Sequence, residues 1–153
     1  PPRLGLAFEM PKEFEYVKYF GYDSETLSDF HEHSAVKVNE TTVSDMRCKY
    51  IKPQESGMRY STYWAEITDN EGTGIKIESD NSFVFSAHHY NPVQCAKATH
   101  NEDLLDYDTT FIGIDGYMLG AGSNACGPIP AKNSRKAFAA SYKNSFKIKP
   151  IGE

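Results

Sequence analysis

Cysteine, positive charge and long apolar runs are all scarce in this chain of 153 residues, and each scarcity excludes something. The three cysteines, Cys48, Cys95 and Cys126, stand far apart. They form no Cys-x-x-Cys pair and no dense disulfide framework, so three reduced thiols are expected. No apolar run approaches the roughly 18 residues of a membrane-spanning helix, so no membrane partner is expected. There is no apolar signal segment, and the chain opens at Pro1 without a methionine, as a processed chain or an excised piece would. Sixteen Lys and Arg against twenty-one Asp and Glu leave a net charge of −5. A general nucleic-acid binder needs a basic face to displace counterions, so that class is excluded. The Gly-x-Ser-x-Gly elbow of serine hydrolases is absent, and no cysteine has a compelling His partner.

Aromatic residues, in contrast, are abundant: ten Tyr and nine Phe, with one Trp. Tyr and Phe favour strands, and exposed Tyr faces suit sugar or peptide contact. Period-two alternation dominates the chain. Leu4, Leu6, Phe8 and Met10 share one face of a first strand, and Tyr63, Ala65 and Ile67 share a face of another. Asp69 to Gly72 (DNEG) is a turn signal, and Ile75 and Ile77 alternate with Lys76 and Glu78 after it, which reads as a hairpin. Phe83, Phe85 and Ala87 make a further strand, Phe111 to Asp115 another, and Tyr142 to Ile148 the last, with Phe146 and Ile148 on one face. Trp64 reads as core. Strands at this spacing predict an all-β, antiparallel β-sandwich. With no repeat and no linker composition, residues 1–153 read as a single domain.

One helix is predicted. Asn91 caps it, Pro92 suits the first helical position, and two turns or so follow. Residues Phe14 to Phe20 fit either a strand or a short amphipathic turn. The polar stretch from Gly21 to Ser44 reads as a long surface loop.

Chemistry-bearing constellations are few. The glycine-rich segment Gly120 to Gly127 follows a strand. A phosphate loop would need a helix next, whereas Pro128 and Pro130 follow at once and no Lys precedes a Ser or Thr. A ligand loop and a plain tight turn both remain open readings. His31 and His33 sit two apart near Asp29, but no third ligand has diagnostic spacing, so a solvated pair is expected and no metal site is assigned. His88 and His89 are adjacent. Carboxylates are plentiful, yet no two are marked as the acid and nucleophile of a glycosidase. No catalytic residue is assigned.

Four segments, in order, resemble one family. PRLGLAFEMPKEFEYVKYFG (Pro2 to Gly21) is similar to a P-R-x-G-L segment, and SDMRCKYIKPQESGMR (Ser44 to Arg59) to S-x-M-Y-x-x-Y-x-x-P-Q-E-N-G-x-R. ATHNEDL (Ala98 to Leu104) resembles A-T-H-x-x-D-L. IDGYMLGAGSNACGP (Ile114 to Pro128) resembles D-G-x-x-x-G-x-G-x-x-S-x-G-P. These belong to the large β-galactosidases of glycoside hydrolase family 2, in the last part of their C-terminal (small-chain) domain.

The resemblance implies a galactose-mutarotase-like supersandwich of which this chain is the C-terminal segment, about half. It implies hydrolysis of terminal β-D-galactose residues, as in lactose, by the whole enzyme. The catalytic glutamates would lie upstream on a TIM barrel, and the magnesium and sodium ions that such enzymes often use would be bound elsewhere, leaving this chain without a cofactor. The implied role is to complete the sugar pocket through Gly122, Ser123, Asn124 and Cys126 and to support assembly. The implied partners are the galactoside, the remaining domains and further copies in a homo-oligomer. The implied location is the cytoplasm or periplasm of a bacterium. A free-standing carbohydrate-binding module is the alternative.

The chain departs from the family pattern in three places. The G-x-G-P-x-E-N-Y-x-D-R segment becomes GYDSETLSDF, where Gly21, Glu25 and Asp29 align but Thr26, Leu27 and Phe30 replace the Asn, Tyr and Arg. Cys126 stands where some members carry a stacking Trp. Ser56 replaces the Asn of Pro-Gln-Glu-Asn.

Overall fold

The computed structural model describes residues 3–23, 34–118 and 141–152. They form one antiparallel sheet of seven strands: β1 (Arg3–Pro11), β2 (Tyr16–Tyr22), β3 (Val36–Thr42), β4 (Arg59–Thr68), β5 (Gly74–His88), β6 (Thr109–Met118) and β7 (Lys147–Ile151). The order across the sheet is β1-β6-β5-β4-β2-β3, and β7 pairs with β5. The all-β antiparallel architecture is consistent with a β-sandwich. Only short 3-10 turns, at Ser44–Met46, Pro92–Ala96 and Asn101–Asp103, interrupt it.

The register explains the core. Val17, Ile67 and Ile75 form one row across β2, β4 and β5, and Tyr19, Ala65 and Ile77 form the next. Phe8, Ile112 and Ala87 form a row across β1, β6 and β5, with Leu6, Ile114 and Phe85 beside it. Because side chains alternate across a strand, these rows put one apolar set on one face. Val43 and Met46 are buried in the same cluster, and Phe14 and Phe146 pack against it.

The DNEG hairpin is present. The Asp69 N–H donates to the Thr73 carbonyl, and Asp69 Oδ1 accepts from the N–H groups of Glu71 and Thr73. Gly72 sits at φ +84°, where a side chain is disfavoured.

Several expectations change. Ile75–Ile77 and Phe83–Ala87 belong to one strand, not two. Trp64 on β4 faces Glu78 and Thr62 faces Phe83, so residues 79–82 of β5 bulge out of the ladder without ending the strand. Beyond that bulge the partner of β5 on its other edge switches from β7 to β6. Of the stretch taken as a loop from Gly21 to Ser44, residues 36–42 are the strand β3, because Val36, Val38, Thr41 and Thr42 are β-branched and the segment pairs with β2. Residues 24–33 lie outside the described residues.

The segment from Phe14 to Phe20 resolves as strand from Tyr16 onward. The predicted helix is a five-residue 3-10 turn. Its cap is as expected, with Asn91 Oδ1 accepting from the Val93 N–H at 3.0 Å. Gln94 is tied across to the backbone of Leu105 through both its amide oxygen and its amide nitrogen, and the helix stops at Ala96. Tyr63, Leu4, Leu6 and Ile148 are exposed. Leu4 and Leu6 lie on β1 and Ile148 on β7, strands with a neighbour on one side only. Trp64 is half-buried under the Lys76 ammonium, 4.6 Å from the ring centre, so it is not a core residue.

Candidate functional site

The opposite face of β1, β6 and β5 is built differently. Its rows are Gly5–Asp115–Val84, Ala7–Gly113–Ser86 and Glu9–Phe111–His88. Small residues fill the middle row, and the Arg3 guanidinium lies over Gly113 and Ser86 there. A cleft of about 360 Å³ is lined by the last two rows, by Arg3, and by Asn91, Pro92 and Val93 of the 3-10 turn.

Arg3 closes one end. Its Nε donates to Asp115 Oδ2 at 2.7 Å, its Nη1 to Glu55 Oε1, and its Nη2 to Ser86 Oγ at 3.4 Å. Burial works against the Arg3 charge, but the hydrogen bond and charge of Asp115, followed by Glu55, outweigh it and raise the Arg3 pKa above its ordinary value. The grouping sits close over Gly113. A Cβ there would lie 2.6 Å from Ser86 Oγ and 2.7 Å from Arg3 Nη2, so these side chains would have to shift for any other residue.

His88 lies beneath this face and is 2% exposed. Its Nδ1 has no hydrogen-bond partner among the described residues. Burial first, then the positive charges of Arg3, Arg59, Arg47 and His89, push its pKa down to about 4. It is therefore a neutral imidazole at pH 7, able to donate from one nitrogen and accept at the other. Gly57, at φ +81°, lets the chain pass against it. A Cβ there would come within 2.8 Å of His88 Cε1. His89 serves another purpose. Its Nε2 pairs with Glu15 and its Nδ1 lies 3.3 Å from both the Thr109 carbonyl and Thr110 Oγ1, tying the β1–β2 turn to β6.

The segments that carried the family resemblance meet here. Arg3 comes from the first, Glu55 from the second and Asp115 from the last. The third makes a turn instead: Asp103 accepts from the N–H groups of Thr99 and His100 and from the Thr99 hydroxyl, and these bonds hold its carboxyl below the usual range. Arg59 of the Pro-Gln-Glu segment donates to the Tyr19 hydroxyl at 3.1 Å.

The sequence-predicted binding residues Gly122, Ser123, Asn124 and Cys126 lie outside the described residues, as do His31, His33 and Asp29. Cys48 and Cys95 are not in a disulfide. Among the described residues no group of three or more His, Cys, Asp or Glu is set to hold a metal ion, and no helix is long and apolar enough to cross a membrane. Sequence reasoning missed the cluster of Arg3, Glu55, Ser86, His88 and Asp115. Its only sequence signal was that three resembling segments each contributed one charged residue.

The chain is an all-β antiparallel domain with a cluster of ion-paired side chains on one sheet face. Residues 1–148 match the family described as the β-galactosidase small chain, and the chain belongs to that family. It is 38% identical to a β-galactosidase of Staphylococcus xylosus over 83% of the chain and 13% of the relative. It is 30% identical to that of Actinobacillus pleuropneumoniae over 96% of the chain and 14% of the relative. The Streptococcus thermophilus enzyme is also 30% identical, over 98% of the chain and 15% of the relative. The chain thus spans about one seventh of the length of these relatives.

Proposed function

We propose that residues 1–153 are one domain segment at the C-terminal end of a glycoside hydrolase family 2 β-galactosidase, part of a mutarotase-like supersandwich. The whole enzyme hydrolyses terminal β-D-galactose residues such as that of lactose. The observation that carries this reading is the uninterrupted family match over residues 1–148, made to relatives named β-galactosidase that extend far beyond it.

The chain's own chemistry supports a non-catalytic role. A retaining glycosidase needs one carboxylic acid to protonate the leaving oxygen and a second carboxylate to attack, about 5–5.5 Å apart. Glu55 and Asp115, the acids that converge here, both ion-pair the same guanidinium, so neither is placed to give up a proton to a glycosidic oxygen. The edge strands fit a domain with neighbours. Leu4 and Leu6 on β1 are 42% and 55% exposed, and Val36 and Val38 on β3 are 42% and 51% exposed. Unpaired strand edges of this kind are covered in assembled proteins, here by the remaining domains and by copies in a homo-oligomer. The compartment, cytoplasm or periplasm, follows the whole enzyme.

In this reading Gly122, Ser123, Asn124 and Cys126 face the sugar. Ser and Asn supply hydroxyl and amide groups for sugar hydroxyls, and glycine lets the backbone approach. The test uses a chromogenic galactoside. The complete polypeptide turns it over and the 153-residue chain alone does not. Turnover by the purified chain, or none by the complete polypeptide, overturns the reading. Within the complete enzyme, Cys126→Trp lowers KM for lactose by about threefold to tenfold, as an added aromatic contact would. An unchanged KM and kcat in a folded variant would leave that loop a connector.

A further inference from the structure

We propose that the free edge of β3 is an interface to a second copy of this chain, whose own β3 adds antiparallel across a two-fold axis at Val38. The inference rests on the reading above for the existence of further copies, while the place and register of their contact come from the strand itself. Among the described residues β3 ends the sheet. The Asp23 N–H donates to the Ala35 carbonyl at 3.0 Å and the Val43 N–H to the Glu15 carbonyl at 2.8 Å. Between them β2 and β3 pair residue for residue, from Tyr16 opposite Thr42 to Tyr22 opposite Val36. Bonded pairs recur at every second residue of an antiparallel ladder, so Lys37, Asn39 and Thr41 bond inward to β2. The N–H and C=O groups of Val36, Val38, Glu40 and Thr42 therefore point away from the sheet.

Edges that stay single are guarded by bulges, prolines or charges. β1, at the opposite end of the sheet, has two such guards, a register shift between Leu4 and Gly5 and a terminal Pro11. β3 has neither a bulge nor a proline, and its one lysine, Lys37, is held by Asp23 at 3.4 Å. Val36 and Val38 are nevertheless exposed. On the same face Val38 continues into Phe20 and Trp64, and Val36 into Tyr22. The Tyr63 ring lies 5.8 Å from that of Phe20. Apolar rows thus run out to an open row of hydrogen-bonding groups and stop there.

The edge is complementary to itself. With the axis at Val38, the Val38 residues of the two copies face each other, and the two rows Trp64–Phe20–Val38 join into one. Lys37 then faces Asn39 and Val36 faces Glu40, and the facing pairs exchange about six main-chain hydrogen bonds. Centring on Lys37 or Glu40 would oppose like charges, which destabilises a strand pair. Centring on Asn39 would set Glu40 against Val38 and break the apolar row. Charge does not oppose the union, although the chain carries −5. Lys18 pairs with Glu40 at 2.8 Å, Lys76 with Glu66 at 3.0 Å and Lys149 with Glu78 at 2.7 Å, as Lys37 does with Asp23. Closed two-fold pairs are the commonest protein assemblies, and strand addition at an open edge is a recurrent way to make them.

The test is disulfide trapping in the complete polypeptide. Val38→Cys is incubated with oxidised glutathione, which is reduced as two thiols join. Facing residues of a bonded pair lie about 5.5 Å apart at Cα, within reach of a disulfide. A dimer linked through position 38 therefore forms, identified by peptide mass spectrometry. Thr42→Cys on the same edge forms none, because the two copies of that residue lie roughly 26 Å apart along the ladder at about 3.3 Å per residue. Val38→Lys opposes two ammonium groups and speeds hydrogen–deuterium exchange in residues 36–42 about tenfold. Unchanged exchange in residues 59–68 marks a folded variant. No linked dimer from Val38→Cys, an equal yield from Thr42→Cys, or exchange that Val38→Lys leaves unchanged would overturn the proposal. Protection of residues 36–42 without linkage would give the edge to another domain of the same polypeptide. Galactoside hydrolysis is measured on the same samples. Activity without linkage refutes this inference alone, and linkage without activity refutes only the enzyme reading.

Discussion

Residues 83–88 of β5 close both of their faces to solvent, but by opposite means. On one face Phe83, Phe85 and Ala87 meet the apolar rows of the core. On the other, Val84, Ser86 and His88 lie under Arg3, Asp115 and Gly113, and Val84 joins a small cluster with Met58, Tyr60 and Met118. The inner face gains stability from burial that any well-packed apolar set provides. The outer face holds a charge cluster and an imidazole that packs on Tyr90 but leaves Nδ1 without a hydrogen bond, which an apolar replacement would match or exceed in stability.

The comparison is sharpest where substitution costs most. Phe85→Ala removes a fully buried ring from the inner face and lowers unfolding free energy by about 3–5 kcal/mol, the usual range for a buried Phe. Urea denaturation measures it. A loss below about 1 kcal/mol would mean that the inner face is not the core.

Acid distinguishes the faces next. His88 in the folded protein has a pKa of about 4, below the ordinary 6.5, so the unfolded chain takes up the proton first. Above pH 6.5 His88 is neutral in both states and has no effect on the balance, and stability falls as pH drops from 6.5 toward 4. The total is roughly 3 kcal/mol at about 1.4 kcal/mol per pH unit. Melting temperature followed from pH 7 to pH 4 shows this decline in the wild type and a flatter profile in His88→Phe. Parallel profiles would show that His88 is not the group responsible.

Within the outer face, the two carboxylates on Arg3 differ in burial. Asp115 is 4% exposed and Glu55 40%. Asp115→Ala should cost about 1–3 kcal/mol, because it strips a buried partner from a half-buried guanidinium. Glu55→Gln should cost less than about 1 kcal/mol, as exposed ion pairs do. Equal costs in thermal melts would contradict the asymmetry.

Legibility in the sequence divided along the same line. The inner face was written in period-two alternation, so the strands around Phe8, Ala65, Ile77, Phe85 and Ile112 were readable. Asn91 as a cap and the Asp69 hairpin were readable because they are local. Residues 79–82 looked like a strand break because their composition is that of a turn, while the strand in fact continues past a bulge. Strand β3 was hidden in polar surroundings, since it lies at the sheet edge where half its residues need no apolar partner. The outer face was not readable from spacing at all. Arg3 and Asp115 are 112 positions apart, and only the antiparallel register of β1 on β6 brings them together. Family resemblance marked the segments, but not that they converge.

The most direct test of the contrast is His88→Phe in the complete polypeptide, with urea unfolding measured at pH 7 and at about pH 4.5 on the same sample. The substitution removes an unpartnered buried nitrogen and a group that resists protonation in the folded state. Stability at pH 7 then stays within about 1 kcal/mol of the wild type or rises, and at the lower pH it exceeds that of the wild type. A loss of more than about 2 kcal/mol at both pH values would contradict the account and make His88 part of the packing alone.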